Sequence, residues 1–173
     1  KKLLEQAAAQ FETIHNAYRS LIVGLYSRMW QGKCYEELGN TSQALGIYTE
    51  LLGHPGTNET LAQLKDAVQR FRMVCLNSRN DHTLVIDENE EWLKLRGRVR
   101  YGSRDHLGIL WERTLAREAL ATVEGADEKE KGKLLRPTLP DLKFIKSRSA
   151  ELRELASDKE RVIQGHLNMV NTD

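Results

Sequence analysis

Proline is scarce, with three in 173 residues, so little in the chain forbids long helices. Cysteine is scarcer, and two cannot make a disulfide framework or a four-thiolate zinc site. Cys34 and Cys75 both fall on apolar faces of expected helices, which predicts buried thiols. No apolar run approaches the roughly 20 residues that cross a bilayer, and no signal-peptide pattern is present. Neither sign of charge dominates. Twenty-six basic residues against 25 acidic ones leave a net charge of +1, which gives no overall pull toward nucleic acid or a membrane surface. What is abundant is Leu, Ala, Glu, Lys, Arg and Gln, the residues that favour helices. The length suits one domain or a short helical array.

Catalytic patterns are missing as well. His15, His54, His82, His106 and His166 are scattered, and none has a histidine or cysteine partner at helical spacing. No glycine-rich phosphate loop follows a strand, and no nucleophile signature is present. Acidic pairs such as Glu36–Glu37 and Glu90–Glu91 read as solvated helix faces. The sequence therefore predicts no enzyme, no metal and no cofactor.

The most informative stretch is LYSRMWQGKCYEELGNTSQALGIYTELLGHPG, residues 25–56. Gly32 and Tyr35 share one face of a first helix. Gly39 ends that helix, and Asn40 with Gln43 is expected to cap a second one. Ala44 and Tyr48 aim a small residue and a ring back at the first helix, and the GHPGT run around Pro55 stops the second. The spacing of Gly32, Tyr35, Gly39, Ala44, Tyr48 and Pro55 resembles a tetratricopeptide repeat, a helical hairpin of period 34. Two positions depart from that pattern. Arg28 stands where the family usually has tryptophan, with Trp30 two residues later, and Gln31 stands where leucine is common.

The resemblance implies an all-α superhelix, a solenoid of antiparallel helix pairs over residues 1–173, with a clear repeat at 25–58 and degenerate units at about 59–100 and 101–166. Ala7 and Phe11 resemble a second helix that lacks a first. With lysine at position 1, this reads as a piece of a longer array with its apolar stripe (Leu4, Ala7, Phe11, Ile14) left open, a route to self-association. Asn58 or Thr57 should cap a helix carrying Leu61, Leu64, Val68, Phe71 and Cys75. A break is expected at 80–82, and Asp87 with Glu90 should open a shorter helix through Trp92. Leu107, Gly108 and Trp111 repeat the spacing of a first helix. Further starts are expected near Asp127 and at Thr138–Asp141, and the last helix runs to about residue 166 or breaks at Ser157–Glu160. Six to eight helices and no sheet result.

By resemblance, the concave groove is lined by Tyr26, Met29, Lys33, Glu36 and Glu37. Trp30 falls near where a carboxylate clamp would need lysine or asparagine, so a clamp for a chain terminus is not expected. The implied function is a scaffold that docks a peptide or helix of another protein. A second reading rests on residues 94–104, whose Arg96, Arg98, Arg100 and Arg104 would bind phosphate or RNA if Arg96, Arg100 and Arg104 aligned on one helix. The neighbouring acidic run 87–91 favours instead a solvated helix end, and nucleic acid is disfavoured. A third reading is structural self-assembly through the N-terminal helix. Composition leaves the compartment open between the cytoplasm, which it slightly favours, and a periplasmic or membrane-anchored parent protein.

Overall fold

The computed structural model describes residues 1–96 and 101–170, the last of these for its backbone alone. Among the described residues there are nine α-helices and no strand. None is long and apolar enough to cross a membrane. The chain divides into two compact units, Lys1–Arg79 and Asn80–Asp173.

The first unit contains α1 (Lys2–Ala17), α2 (Ile22–Glu37), α3 (Thr41–Leu52) and α4 (Glu59–Ser78). Successive helices pack on one another, and α4 also packs on α2. Pairing across α2 and α3 runs antiparallel, because Arg28 reaches Glu50 while Gly32, one turn later, meets Tyr48. The same holds for α3 and α4, where Arg72 donates to Thr49 Oγ1 and Lys65 donates to the His54 carbonyl.

Gly32 and Ala44 are both buried, and Tyr48 is fully enclosed. What the missing side chain of Gly32 admits is the Tyr48 ring rather than a neighbouring backbone. Gly39, at φ +81°, ends α2 with two reversed hydrogen bonds: Asn40 N donates to Tyr35 O (2.8 Å) and Gly39 N to Glu36 O (2.9 Å). The Asn40 side chain forms no cap on α3, and Gln43 N donates instead to the Asn40 carbonyl at 3.1 Å. Asn58 does cap α4, its Oδ1 accepting from Leu61 N at 2.9 Å. Leu61, Leu64, Val68, Phe71 and Cys75 are all buried, as their spacing predicts. The α1 stripe is partly covered by α2, with Ala8 buried and Ile14 at the exposed edge.

The second unit contains α5 (His82–Arg96), α6 (Arg104–Ala121), α7 (Glu128–Leu135), α8 (Thr138–Arg148) and α9 (Arg153–Val170). Helix α6 packs on α5, α7 and α8, and α9 packs on α7 and α8. Leu107, Leu110, Leu135, Leu142, Ile145 and Ile163 make most of the core. Arg113 reaches Asp141 (2.6 Å) and Arg117 reaches Glu90 (2.8 Å) across its interfaces. Burial pushes the Asp141 carboxyl up, and Arg113 and Arg117 only partly oppose it.

Two expected boundaries move. Asp87 and Glu90 do not open a helix, since α5 already begins at His82 and runs through them. Val85, Asn89 and Trp92 are all buried, so the packed face of α5 begins in its first turn, ahead of the local cap signal. The last break comes before Arg153 rather than at Ser157–Glu160, with Ser149 Oγ accepting from Leu152 N at 3.0 Å. Thr138 opens α8, but its hydroxyl donates back to Leu135 O at 2.6 Å instead of capping forward.

Candidate docking face and a polar cleft in the first unit

One turn of an α-helix takes 3.6 residues, so Tyr26, Trp30, Lys33 and Glu37 form a single stripe on α2. Trp30 is 44% exposed, and its ring lies 6.2 Å from Phe71 of α4. Phe71 also meets the Tyr48 ring at 6.1 Å. Two cations cover it, Lys33 Nζ at 5.2 Å and the Arg70 guanidinium at 4.5 Å from the ring centre. The indole is thus half open to solvent beside a Phe71 ring that is itself buried.

Of the five groove positions expected from sequence, Tyr26 and Lys33 are half-buried and Glu37 is exposed. Met29 is not available, being only 3% exposed and part of the core. Glu36 turns inward, accepting from Lys33 and from Tyr48 Oη at 3.0 Å. Lys33 also pairs with Glu37 at 2.9 Å. The charges on this face therefore largely cancel among themselves. Tyr35 is half-buried beside Gln31 and Ile47, and Pro55 sits exposed in the turn after α3. Trp30 and Phe71 were the residues that family spacing did not single out. The stripe 26, 30, 33, 37 would have found the first, whereas Phe71 needs the α2–α4 packing.

Burial and the Glu36 carboxylate both act on the groups around this face. Burial first, then Glu36, pushes the Tyr48 phenol far up and the Cys75 thiol up to about 12. Burial and then Glu37 raise Cys34. Burial disfavours the Lys33 ammonium, but its hydrogen bonds to Glu36 and Glu37 outweigh that and raise its pKa. All four groups hold their protons longer folded than unfolded. Stability from them is complete below the thiol's ordinary value of 9.0 and is lost as pH rises toward about 12. Urea unfolding followed by circular dichroism should show a lower midpoint at about pH 11 than at about pH 8. Cys75→Ala should flatten that slope, and an unchanged midpoint would contradict the assignment.

Arg96 and Arg104 do not lie on one helical row. Helix α5 ends at Arg96 and α6 begins at Arg104, with Gly102 at φ +75° between them. Arg98 and Arg100 lie outside the described residues, and Arg104 is exposed, 3.9 Å from Glu151. Among the described residues no three metal-ligating side chains converge.

A second feature of this unit is a cleft of about 440 Å³ between α1, α2 and α3. Its floor is Leu25 and Leu51, and its walls are polar. No family model matches the chain, and no match appears among curated proteins or solved structures.

Proposed function

We propose that the first unit is a tetratricopeptide-like docking platform, the start of a solenoid, that takes an apolar peptide or helix of a partner protein across α2 and α4. The observation that carries this reading is Trp30, a large aromatic side chain left 44% exposed beside the buried Phe71 ring. Tryptophan in such a setting is the residue type most enriched among binding anchors. Supporting it are the close Gly32–Tyr48 approach, the buried Ala44, and α4 seated on both α2 and α3. Affinity comes from apolar contact with Trp30, while Lys33 and Glu37 orient the ligand.

Panning a displayed random-peptide library against the full chain tests the proposal. Enriched peptides should bind Trp30→Ala at least about tenfold more weakly, a loss of about 1.4 kcal/mol. They should bind Leu95→Ala, a change in the second unit, as well as wild type. No enrichment, or peptides indifferent to Trp30→Ala, would overturn it. An RNA pool run alongside should show no binding whose strength falls steeply with salt.

A further inference from the structure

The interface of α1, α2 and α3 is not closed by apolar packing. Arg28 lies within it, its Nη1 donating to Gln31 Oε1 (2.8 Å) and its Nε and Nη2 to Glu50 Oε2 (3.1 and 2.6 Å). Gln31 is 1% exposed, whereas the Arg28–Glu50 pair sits at the open side of the interface, with the Glu50 side chain 48% exposed. Arg28 is thereby engaged, and the cleft beside it is left to other groups.

Those groups separate by hydrogen-bonding sense. His15 Nδ1 donates to the Gly24 carbonyl at 3.1 Å. A carbonyl only accepts, so the ring proton of neutral His15 sits on Nδ1 and Nε2 offers a lone pair. That atom lies 4.0 Å from Glu50 Oε1, the carboxylate oxygen that Arg28 does not use. Glu12, one turn before His15 on α1, adds a second carboxylate to the same wall. These are acceptors. One turn beyond His15 the sense reverses. Arg19 Nη2 donates to Asn16 Oδ1 at 2.8 Å, which turns the Asn16 amide nitrogen into an available donor beside the guanidinium.

Formal charges in the cleft cancel, Arg19 and Arg28 against Glu12 and Glu50. A simple cation or a simple anion would meet one attractive and one repulsive wall. A ligand carrying both signs meets two attractive ones. We propose that this cleft binds a small zwitterion, a free α-amino acid with an aliphatic side chain. Its ammonium donates to Glu50 Oε1, Glu12 and His15 Nε2. Its carboxylate accepts from Arg19 and Asn16, and its side chain lies on Leu25 and Leu51. A volume of about 440 Å³ is in the range of small-molecule sites. The cleft is distinct from the docking face, since Arg28 and Trp30 lie about 200° apart around α2.

Calorimetric titration of the full chain with L-leucine, 3-methylbutylamine and 4-methylpentanoate tests this. Leucine should bind one per chain, and each single-charge analogue at least about tenfold more weakly. Arg19→Ala and Glu12→Gln, both at exposed positions, should each weaken leucine at least about tenfold, with Trp30→Ala unchanged. Chemical-shift changes confined to residues 12–54 would locate the site if the heat is small. If leucine and the other aliphatic amino acids neither bind nor shift these resonances, the proposal fails. It fails equally if the amine or the acid binds as well as leucine, or if zinc ion binds where leucine does not.

Discussion

Gly24→Ala should cost the first unit about 3 kcal/mol or more, the largest loss from any single methyl group added there. A Cβ at Gly24 would stand 2.0 Å from the Tyr18 carbonyl oxygen, 2.6 Å from its carbon and 3.3 Å from Arg19 N. Every atom it meets is backbone, so no side chain can rotate out of the way. The Tyr18 oxygen is also fixed, because it accepts from Leu21 N at 2.9 Å in the turn that joins α1 to α2. Relief requires moving the end of α1, which would also disturb the His15 bond to the Gly24 carbonyl. Helix propensity acts in the opposite direction, since alanine is favoured over glycine by about 1 kcal/mol in a helix interior. The steric term is the larger. Urea unfolding of the variant checks it, and a midpoint at or above wild type would contradict the close approach.

Gly32→Val should be the next most damaging change, at about 3 kcal/mol. Its Cβ would lie 2.7 Å from Tyr48 Cε1 and 3.1 Å from Ile47 Cγ2. Tyr48 is fully buried, its ring rests on Phe71, and its hydroxyl donates to Glu36, so it has nowhere to go. The matching control is on the facing helix. Gly46 of α3 is exposed, with nothing within 4 Å of a built Cβ. Gly46→Ala should therefore stabilise the unit by about 0.5–1 kcal/mol through backbone entropy alone. Adding a side chain to glycine thus has opposite signs at two positions of one hairpin. Thermal melts of Gly32→Ala, a milder case, and Gly46→Ala should move in opposite directions.

The hairpin at 25–56 was legible because its signals are local. Small residues and rings at three- and four-residue spacing, with a glycine at the turn, specify which faces meet. Gly32, Gly39 and Tyr48 act in that way. Gly24 was not legible, because what makes it necessary is a carbonyl six residues away in a turn whose path no spacing rule gives. Asn40–Gln43 and Asp87–Glu90 look like caps, yet Gln43 N donates to the Asn40 carbonyl and a helix begun at His82 runs through the second pair. Local capping contributes about 1 kcal/mol, which continuous apolar packing readily exceeds. Met29 misled for a related reason. A pattern places it on the groove side, while the rotation of α2 against its neighbours decides which edge of that side is covered. The polar cleft was visible only as one departure, Arg28, whose meaning depends on what surrounds it.

Both thiols of the chain, Cys34 and Cys75, are free, enclosed and poorly ionised, and both belong to the first unit. An alkylating or disulfide-exchange reagent needs an accessible thiolate. Its rate of uptake is therefore a stopwatch for the opening of residues 1–79, blind to any event confined to the remainder of the chain.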